Sequence, residues 1–295
     1  MPDPERQPRS PSEPASDLRV RVVCTVRGCE QELERCPRTW RCARGHAFDV
    51  GRGGHVNLLQ PQDSRSRAPG DSRAAVLGRE KLEERGLAEA LHAALERHVV
   101  SLALPSGAAL DVGAGTGRLL QRLVLSCGLE GWALDLSSAA VERGSRRHPA
   151  LSWVIANADR RLPFAAGSFD LVLSCAGPRN PREFRRVLSA RGALLVVVPA
   201  PDDLIELRAA ALGEGRVVDR SGPALAALAP HFELRERFEA RAQLTLERGA
   251  LEDLLCATYR GARHAERERL ADLEQLEVTL ASEVLHLVLG PGARG

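Results

Sequence analysis

Lysine is almost missing from this chain. Lys81 is the only one, and the rest of the side-chain positive charge is arginine. Arginine stays charged at any working pH and forks onto phosphate or carboxylate better than lysine does. Aromatic residues make up only 3% of the sequence, with one tyrosine, so a core must come mainly from Leu, Val and Ala. No run approaches the roughly 20 apolar residues needed to cross a bilayer. That argues against a membrane helix or a membrane partner and sets the expectation of a cytoplasmic protein. Neither sign of charge dominates: 41 Lys and Arg face 39 Asp and Glu, a net charge of +2. A nucleic-acid partner must therefore be argued from local charge, not from the total. Residues 1–17 are rich in Pro, Ser and charge and lack an apolar segment. They read as a disordered tail and not as a secretory signal.

What is present divides into three regions after that tail. Residues 18–62 hold four of the seven cysteines, Cys24, Cys29, Cys36 and Cys42, together with His46 and His55. Residues 63–104 open with a polar linker, Asp63 to Asp71, and continue as a helical stretch from about Ser72 to Leu102. Its apolar positions are Leu82, Leu87, Leu91, Leu95 and Val99. Residues 105–295 alternate short apolar runs with helical stretches. The runs are Ala109–Val112, Gly131–Leu134, Trp153–Ile155, Leu171–Leu173 and Ala193–Val198, with late strands expected from Phe232 and over Val278–Val288. Uninterrupted apolar runs suit strands buried on both faces, and the intervals suit crossover helices. The pattern predicts an α/β fold with a doubly wound, mostly parallel sheet.

The strongest motif is Leu110-Asp111-Val112-Gly113-Ala114-Gly115-Thr116-Gly117, between an apolar strand and a helical run. Glycines let the backbone turn sharply and approach a ligand closely. The spacing is not that of a dinucleotide fingerprint, because the position for the third glycine of that pattern is Arg118. No Gly-Lys-Ser/Thr follows for a phosphate loop. A carboxylate before the glycines would repel a pyrophosphate but attract the amino and sulfonium groups of S-adenosylmethionine. The second strand ends in Asp135, placed to accept from ribose hydroxyls. The third leads to Asp159, placed to accept from an adenine amino group. Asp111, Gly113, Gly115, Gly117, Asp135 and Asp159 are therefore the candidate cofactor residues of a methyltransferase. The competing reading of each Asp is a helix or turn cap.

Cys42 and His46 stand four apart on a tight turn, Cys29 lies thirteen residues before Cys42, and Cys24 five before Cys29. Three thiolates and an imidazole make a sufficient tetrahedral set for a structural Zn2+. The four-residue gap between Cys24 and Cys29 is longer than the usual two, and Cys36 is a spare candidate. The alternative is ordinary thiols in a metal-free module. Arginines outnumber acids across this segment, which suits a grip on a phosphate backbone, or simply a solvated charged face.

The residues also resemble a known family, the 23S rRNA (guanine-N1)-methyltransferases. Cys42-x3-His46-Ala47-Phe48-Asp49-Val50 followed by Gly54 to Leu59 looks like that family's zinc knuckle and the run after it. Arg65 to Ser72 looks like its interdomain linker. Asn180 to Leu188, Leu194 to Pro199 and Leu204 to Leu207 resemble its block after the fourth strand. Gly177 to Pro181 and Leu228 to Phe232 are more similar to the branch tied to macrolide (tylosin-type) resistance. The resemblance implies a Rossmann-like class I methyltransferase domain with an N-terminal zinc ribbon, bound S-adenosylmethionine and Zn2+, and a homodimer acting on a 23S rRNA hairpin loop. There are departures: Val26 stands where the first knuckle cysteine is expected, His55 and Leu87 replace aromatics, and Asp203 replaces a histidine. Pro178 and Asn180, after the fourth strand, are the candidate catalytic residues, with a structural turn as the bland reading. Asp203 and Glu206 are candidate bases. Rival functions are a small-molecule methyltransferase whose cysteine-rich segment is only a lid, and an inactive RNA-binding protein that keeps the fold.

Overall fold

The computed structural model describes residues 19–63, 70–104, 107–213, 215–258, 269–270 and 273–290. The expected tail over residues 1–17 and most of the linker, residues 64–69, lie outside the described residues.

A small three-stranded antiparallel sheet comes first: β1 (Leu33–Arg35), β2 (Thr39–Cys42) and β3 (Ala47–Asp49). Then follow a short strand, β4 (Val56–Asn57), and two helices, α1 (Arg73–Glu84) and α2 (Glu89–Ser101). The alternating unit over the next hundred residues is β5 (Ala108–Val112), α3 (Arg118–Cys127), β6 (Glu130–Asp135), α4 (Ser138–Arg147), β7 (Ser152–Ile155), β8 (Phe169–Cys175), α5 (Pro181–Val187) and β9 (Leu188–Pro199). The chain ends with α6 (Ile205–Leu212), α7 (Ser221–Leu228), β10 (Phe232–Glu247), α8 (Arg248–Thr258) and β11 (Gln275–Leu289).

The main sheet has eight strands in the order β10-β11-β9-β8-β5-β6-β7-β4. β4, β7, β6, β5, β8 and β9 run parallel; β11 runs antiparallel to β9, and β10, antiparallel to β11, runs with the other six again. All five apolar runs and both late strands predicted from the sequence are strands. The order reverses at β5, which has β6 on one side and β8 on the other. In an open parallel sheet a ligand binds at such a switch point, beyond the carboxyl ends of the strands.

The apolar runs behave as the burial argument requires. Every residue of β5 is buried, and Leu110, Trp132, Val154 and Val172 are sealed from solvent. Burying each such side chain contributes roughly 1.5–3 kcal/mol. Four of the few aromatics, Trp40, Trp132, Phe164 and Phe169, meet at one place. Trp132 packs edge-on against Trp40 of β2, with centroids 6.4 Å apart, and against Phe164 at 5.5 Å. The core of the N-terminal segment is thus continuous with one face of the main sheet.

Two features differ from the sequence reading. The helical stretch is not one helix but two. Gly86 takes φ +84° and the chain turns over Arg85–Ala88 before α2 begins. The N-terminal segment also does not end before the catalytic sheet begins. β4 pairs in parallel with β7, Val56 beside Val154, and so forms the edge of the main sheet.

Candidate functional site

Four side chains of the N-terminal segment converge: Cys24, Cys29, Cys42 and His46 place their ligand atoms within 4.8 Å of one another. The long gap between the first two cysteines is closed by a turn, in which the N–H of Cys29 donates to the Val26 carbonyl and that of Cys24 to the Gln31 carbonyl. The second knuckle closes as the Gly45 N–H donates to the Cys42 carbonyl, with Gly45 at φ +84°. Cys29 Sγ lies 3.7 Å from Cys42 Sγ, and His46 Nδ1 lies 3.4 Å from both Cys24 and Cys42 Sγ. A tetrahedral ion with Zn–S bonds of about 2.3 Å needs sulfurs about 3.8 Å apart, so this donor set fits zinc. Cys36 is outside the group. Burial pushes the Cys24 thiol up to about 12. Burial acts the same way on Cys42, but the N–H groups of His46 and Arg44 outweigh it and bring Cys42 down to about 7.

A cavity of about 510 Å³ opens at the carboxyl ends of β5, β6, β7 and β8, within the range of small-molecule sites. Asp111, Gly113, Gly115 and Asp135 line it, as do Ala156, Ala158 and the turn from Cys175 to Pro178. Gly113 has φ +83°, and a Cβ there would sit 3.1 Å from Pro178 Cδ. A Cβ on Gly177 would fall 2.6 Å from the Val112 carbonyl oxygen. The two loops approach so closely that only glycine fits. Gly117, at φ +77°, is the N-cap of α3.

Asp111 is buried, and its Oδ1 has no hydrogen-bond partner. Burial, with the nearby charge of Asp135, raises its pKa to about 7. A buried acceptor without a partner is costly, and this one lines the cavity, where a cationic or N–H-bearing ligand would satisfy it. Asp135 is anchored differently. Its two oxygens accept from the Gly115 and Ser137 N–H groups, each at 2.8 Å. Burial raises its pKa, and those two donors oppose the shift. An orphaned carboxylate, a second carboxylate held by backbone and a glycine-lined approach fit S-adenosylmethionine.

The other predicted residues are placed less centrally. Asp159 is exposed and is not among the residues lining the cavity, while its neighbour Ala158 is. Pro178 forms part of the cavity wall, and its carbonyl accepts from Ser174 Oγ. Asn180 lies behind that wall. Its Nδ2 donates to the carbonyls of Ala158 and Arg160, and its Oδ1 caps α5 by accepting from Glu183 N. Asp203 and Glu206 also lie outside the lining. Asp203 accepts from Ala281 N, and Glu206 from Thr279 N and Oγ1.

The sequence reading missed the wall opposite the sheet. Gly70, Asp71, Val76, Arg79, Glu83, Leu91 and His92 line the cavity from the linker end, α1 and α2. The Asp71 carbonyl accepts from Ser137 Oγ at 2.7 Å, and its carboxylate pairs with Arg79. α1 is fixed to α4 by buried Glu80, which is bridged by Arg143 and Arg147. Burial, reinforced by the Arg122 charge, lowers His92 to about 4, so it is neutral at physiological pH. The one hint in the sequence was the glycine of the linker. A Cβ on Gly70 would meet Ser137 N at 2.6 Å, so the linker must lie directly on the start of α4.

A second groove, of about 460 Å³, separates the first knuckle from the loop after β7. Arg27, Arg160 and Arg161 line it, and Ala156 is common to this groove and the cofactor cavity. Arg161 pairs with Glu30 across it.

Comparison with known proteins agrees with both halves of this architecture. Residues 24–67 match the family model described as RlmA, N-terminal, a zinc ribbon, and residues 109–194 match a methyltransferase domain. The chain is 39% identical to the 23S rRNA (guanine(748)-N(1))-methyltransferase of Streptomyces fradiae, over 79% of this chain and 84% of that one. It is 35% identical to a provisionally assigned 23S rRNA (guanine-N(1)-)-methyltransferase of Micromonospora griseorubida, over 79% and 83%. A small-molecule enzyme, the demethylmenaquinone methyltransferase of Renibacterium salmoninarum, is 38% identical but over only 30% of this chain and 36% of its own. The orphaned carboxylate at the glycine loop and the Cys3His cluster thus sit in a chain that belongs to the 23S rRNA (guanine-N1)-methyltransferase family of S-adenosylmethionine-dependent enzymes with a zinc ribbon.

Proposed function

We propose that this enzyme methylates N1 of a guanine in a hairpin loop of 23S rRNA, as a homodimer in the cytoplasm, with macrolide resistance as its consequence. The observation that carries the reading is the joining of an RlmA-type zinc ribbon to a methyltransferase domain in one chain. In this reading residues 18–62 are the RNA-binding module, 63–104 the linker and helical wall, and 105–295 the catalytic domain. Arg27, Arg160 and Arg161 would take phosphates in the groove beside the cofactor cavity. Cys24, Cys29, Cys42 and His46 would hold the zinc that shapes the groove's outer side.

Bound in the cavity, S-adenosylmethionine supplies a methyl group activated on a sulfonium sulfur. The chain's work is positioning. Asp111 receives cationic charge, Asp135 the ribose hydroxyls, and the glycine loop from Gly113 to Gly117 admits the ligand. Guanine N1 carries a proton at neutral pH and must be presented unstacked. The turn from Cys175 to Pro178 is the surface we assign to the target base. Ala176 there holds φ +50°, a strained value for a residue with a Cβ. Asn180 acts through the backbone by fixing Ala158 and Arg160.

The test is methyl transfer from tritiated S-adenosylmethionine to unmodified 23S rRNA, with total small-molecule extract as the rival acceptor. Label in the RNA supports the proposal. Label only in the extract would replace it with the metabolite reading. Cofactor binding without transfer to either would replace it with an inactive RNA-binding protein.

A further inference from the structure

A second cluster of metal-ligating side chains lies at the β10–β11 end of the main sheet, opposite the edge formed by β4. His98 of α2, Glu236 of β10 and His286 of β11 place one ligand atom each within 4.8 Å of one another. His98 Nε2 and His286 Nδ1 are 3.2 Å apart, and Glu236 Oε2 is 3.9 Å from His98 Nδ1. The rings cross at 74°, and Phe238 packs on His98 with centroids 4.7 Å apart, which restricts its rotation.

We propose that His98, Glu236 and His286 form a second zinc site, separate from the ribbon, that pins α2 to the β10–β11 hairpin. Two imidazole nitrogens bound to one tetrahedral zinc at about 2.0–2.1 Å stand about 3.3 Å apart, close to the separation here. Two histidines and a carboxylate with an open fourth position, filled by water, are an established zinc ligand set. His98 faces His286 through Nε2, while its nearest approach to Glu236 is through Nδ1. An ion between the two rings takes His98 Nε2 and His286 Nδ1, and the exposed Glu236 must swing round from the Nδ1 side to complete the set. Glu236 is exposed, with freedom to close on the ion, while His286 is buried and sets the position.

The site bears on the cofactor cavity through one helix. His92 and Leu91 on α2 line that cavity. His98 is six residues further along, about 9 Å at the helical rise. Zinc at His98 would hold the helix that carries His92 against the sheet, so the second ion steadies the cofactor wall without touching it.

The experiment is elemental analysis of the full chain, purified with zinc present and then desalted. Wild type is expected to hold two zinc ions per chain and His98→Gln one. Glu236→Gln, at an exposed position that should not affect folding, is expected to bind the second ion at least about tenfold more weakly, since even an outer-shell partner is worth that much. Titration with cobalt(II) adds a spectroscopic readout: the second equivalent should lack the sulfur-to-metal absorption of the first. One zinc per wild-type chain would overturn the proposal, as would two undiminished in His98→Gln, or a second cobalt carrying sulfur bands.

Discussion

Asp111→Asn should make the cofactor-free protein more stable at alkaline than at acid pH relative to wild type. Asp111 is buried with one oxygen unpartnered, and burial raises its pKa from 3.8 to about 7. Below pH 3.8 the carboxyl is neutral in both folded and unfolded chains, and the shift costs nothing. As the pH rises toward 7 the unfolded carboxyl ionises and the folded one does not, so stability is lost progressively. The loss levels off above the folded value. Three pKa units at 1.36 kcal/mol each set a ceiling of about 4 kcal/mol, of which about 2–3 kcal/mol falls between about pH 5 and pH 8. Asparagine does not titrate, and any cost of burying its amide is the same at every pH. The difference in unfolding free energy between variant and wild type, from urea titrations across that range, should therefore grow by about 2–3 kcal/mol in the variant's favour. The same change should weaken S-adenosylmethionine binding by about 1.5–3 kcal/mol, roughly ten- to a hundredfold, because a charged acceptor is lost. A stability difference independent of pH would refute the reasoning, since it would mean the carboxyl is not destabilised by burial.

Cys42→Ser should lose the ribbon zinc and lower the melting temperature, whereas Cys36→Ser should keep both, because Cys36 stands outside the cluster. Elemental analysis with thermal melts checks the pair. Asn180→Ala removes two donated hydrogen bonds and a helix cap, a loss of about 1–3 kcal/mol. It should raise KM for S-adenosylmethionine more than it lowers kcat, and methylation at the wild-type rate and KM would remove Asn180 from the mechanism. Gly177→Ala puts a Cβ 2.6 Å from the Val112 carbonyl oxygen, so calorimetry should find cofactor binding abolished while zinc content is unchanged.

The catalytic sheet could be read in the sequence because its strands are buried on both faces and need no alternation to declare themselves. Asp111 and Asp135 were legible for a related reason, since each sits at the end of such a run and both line the cavity. Asp159 shared that logic, but Asn157 Oδ1 accepts from Asp159 N and turns the chain, leaving Asp159 exposed. β4 was not legible, because two residues cannot show a period and its partner β7 is remote in sequence. The break between α1 and α2 was legible but went unread: Gly86 and the five-residue step from Leu82 to Leu87 both depart from a helical spacing, which resumes only from Leu87 to Leu91. The wall formed by Arg79, Glu83 and His92 carries no motif, since only folding brings those residues over the glycine loop. The gap between Cys24 and Cys29 looked too long because turn closure through Val26 and Gln31 depends on backbone hydrogen bonds that spacing does not reveal.

Methylation at N1 of one rRNA guanine can be read directly by primer extension on unmodified 23S rRNA after incubation with enzyme and S-adenosylmethionine. N1 methylation blocks Watson–Crick pairing and halts reverse transcriptase. One new stop is expected, at a guanine in a hairpin loop, dependent on both enzyme and cofactor and absent with Asp111→Asn at limiting cofactor. Full read-through, with tritium nonetheless incorporated elsewhere in the RNA, would contradict the assigned atom and the presentation of the base by the turn from Cys175 to Pro178.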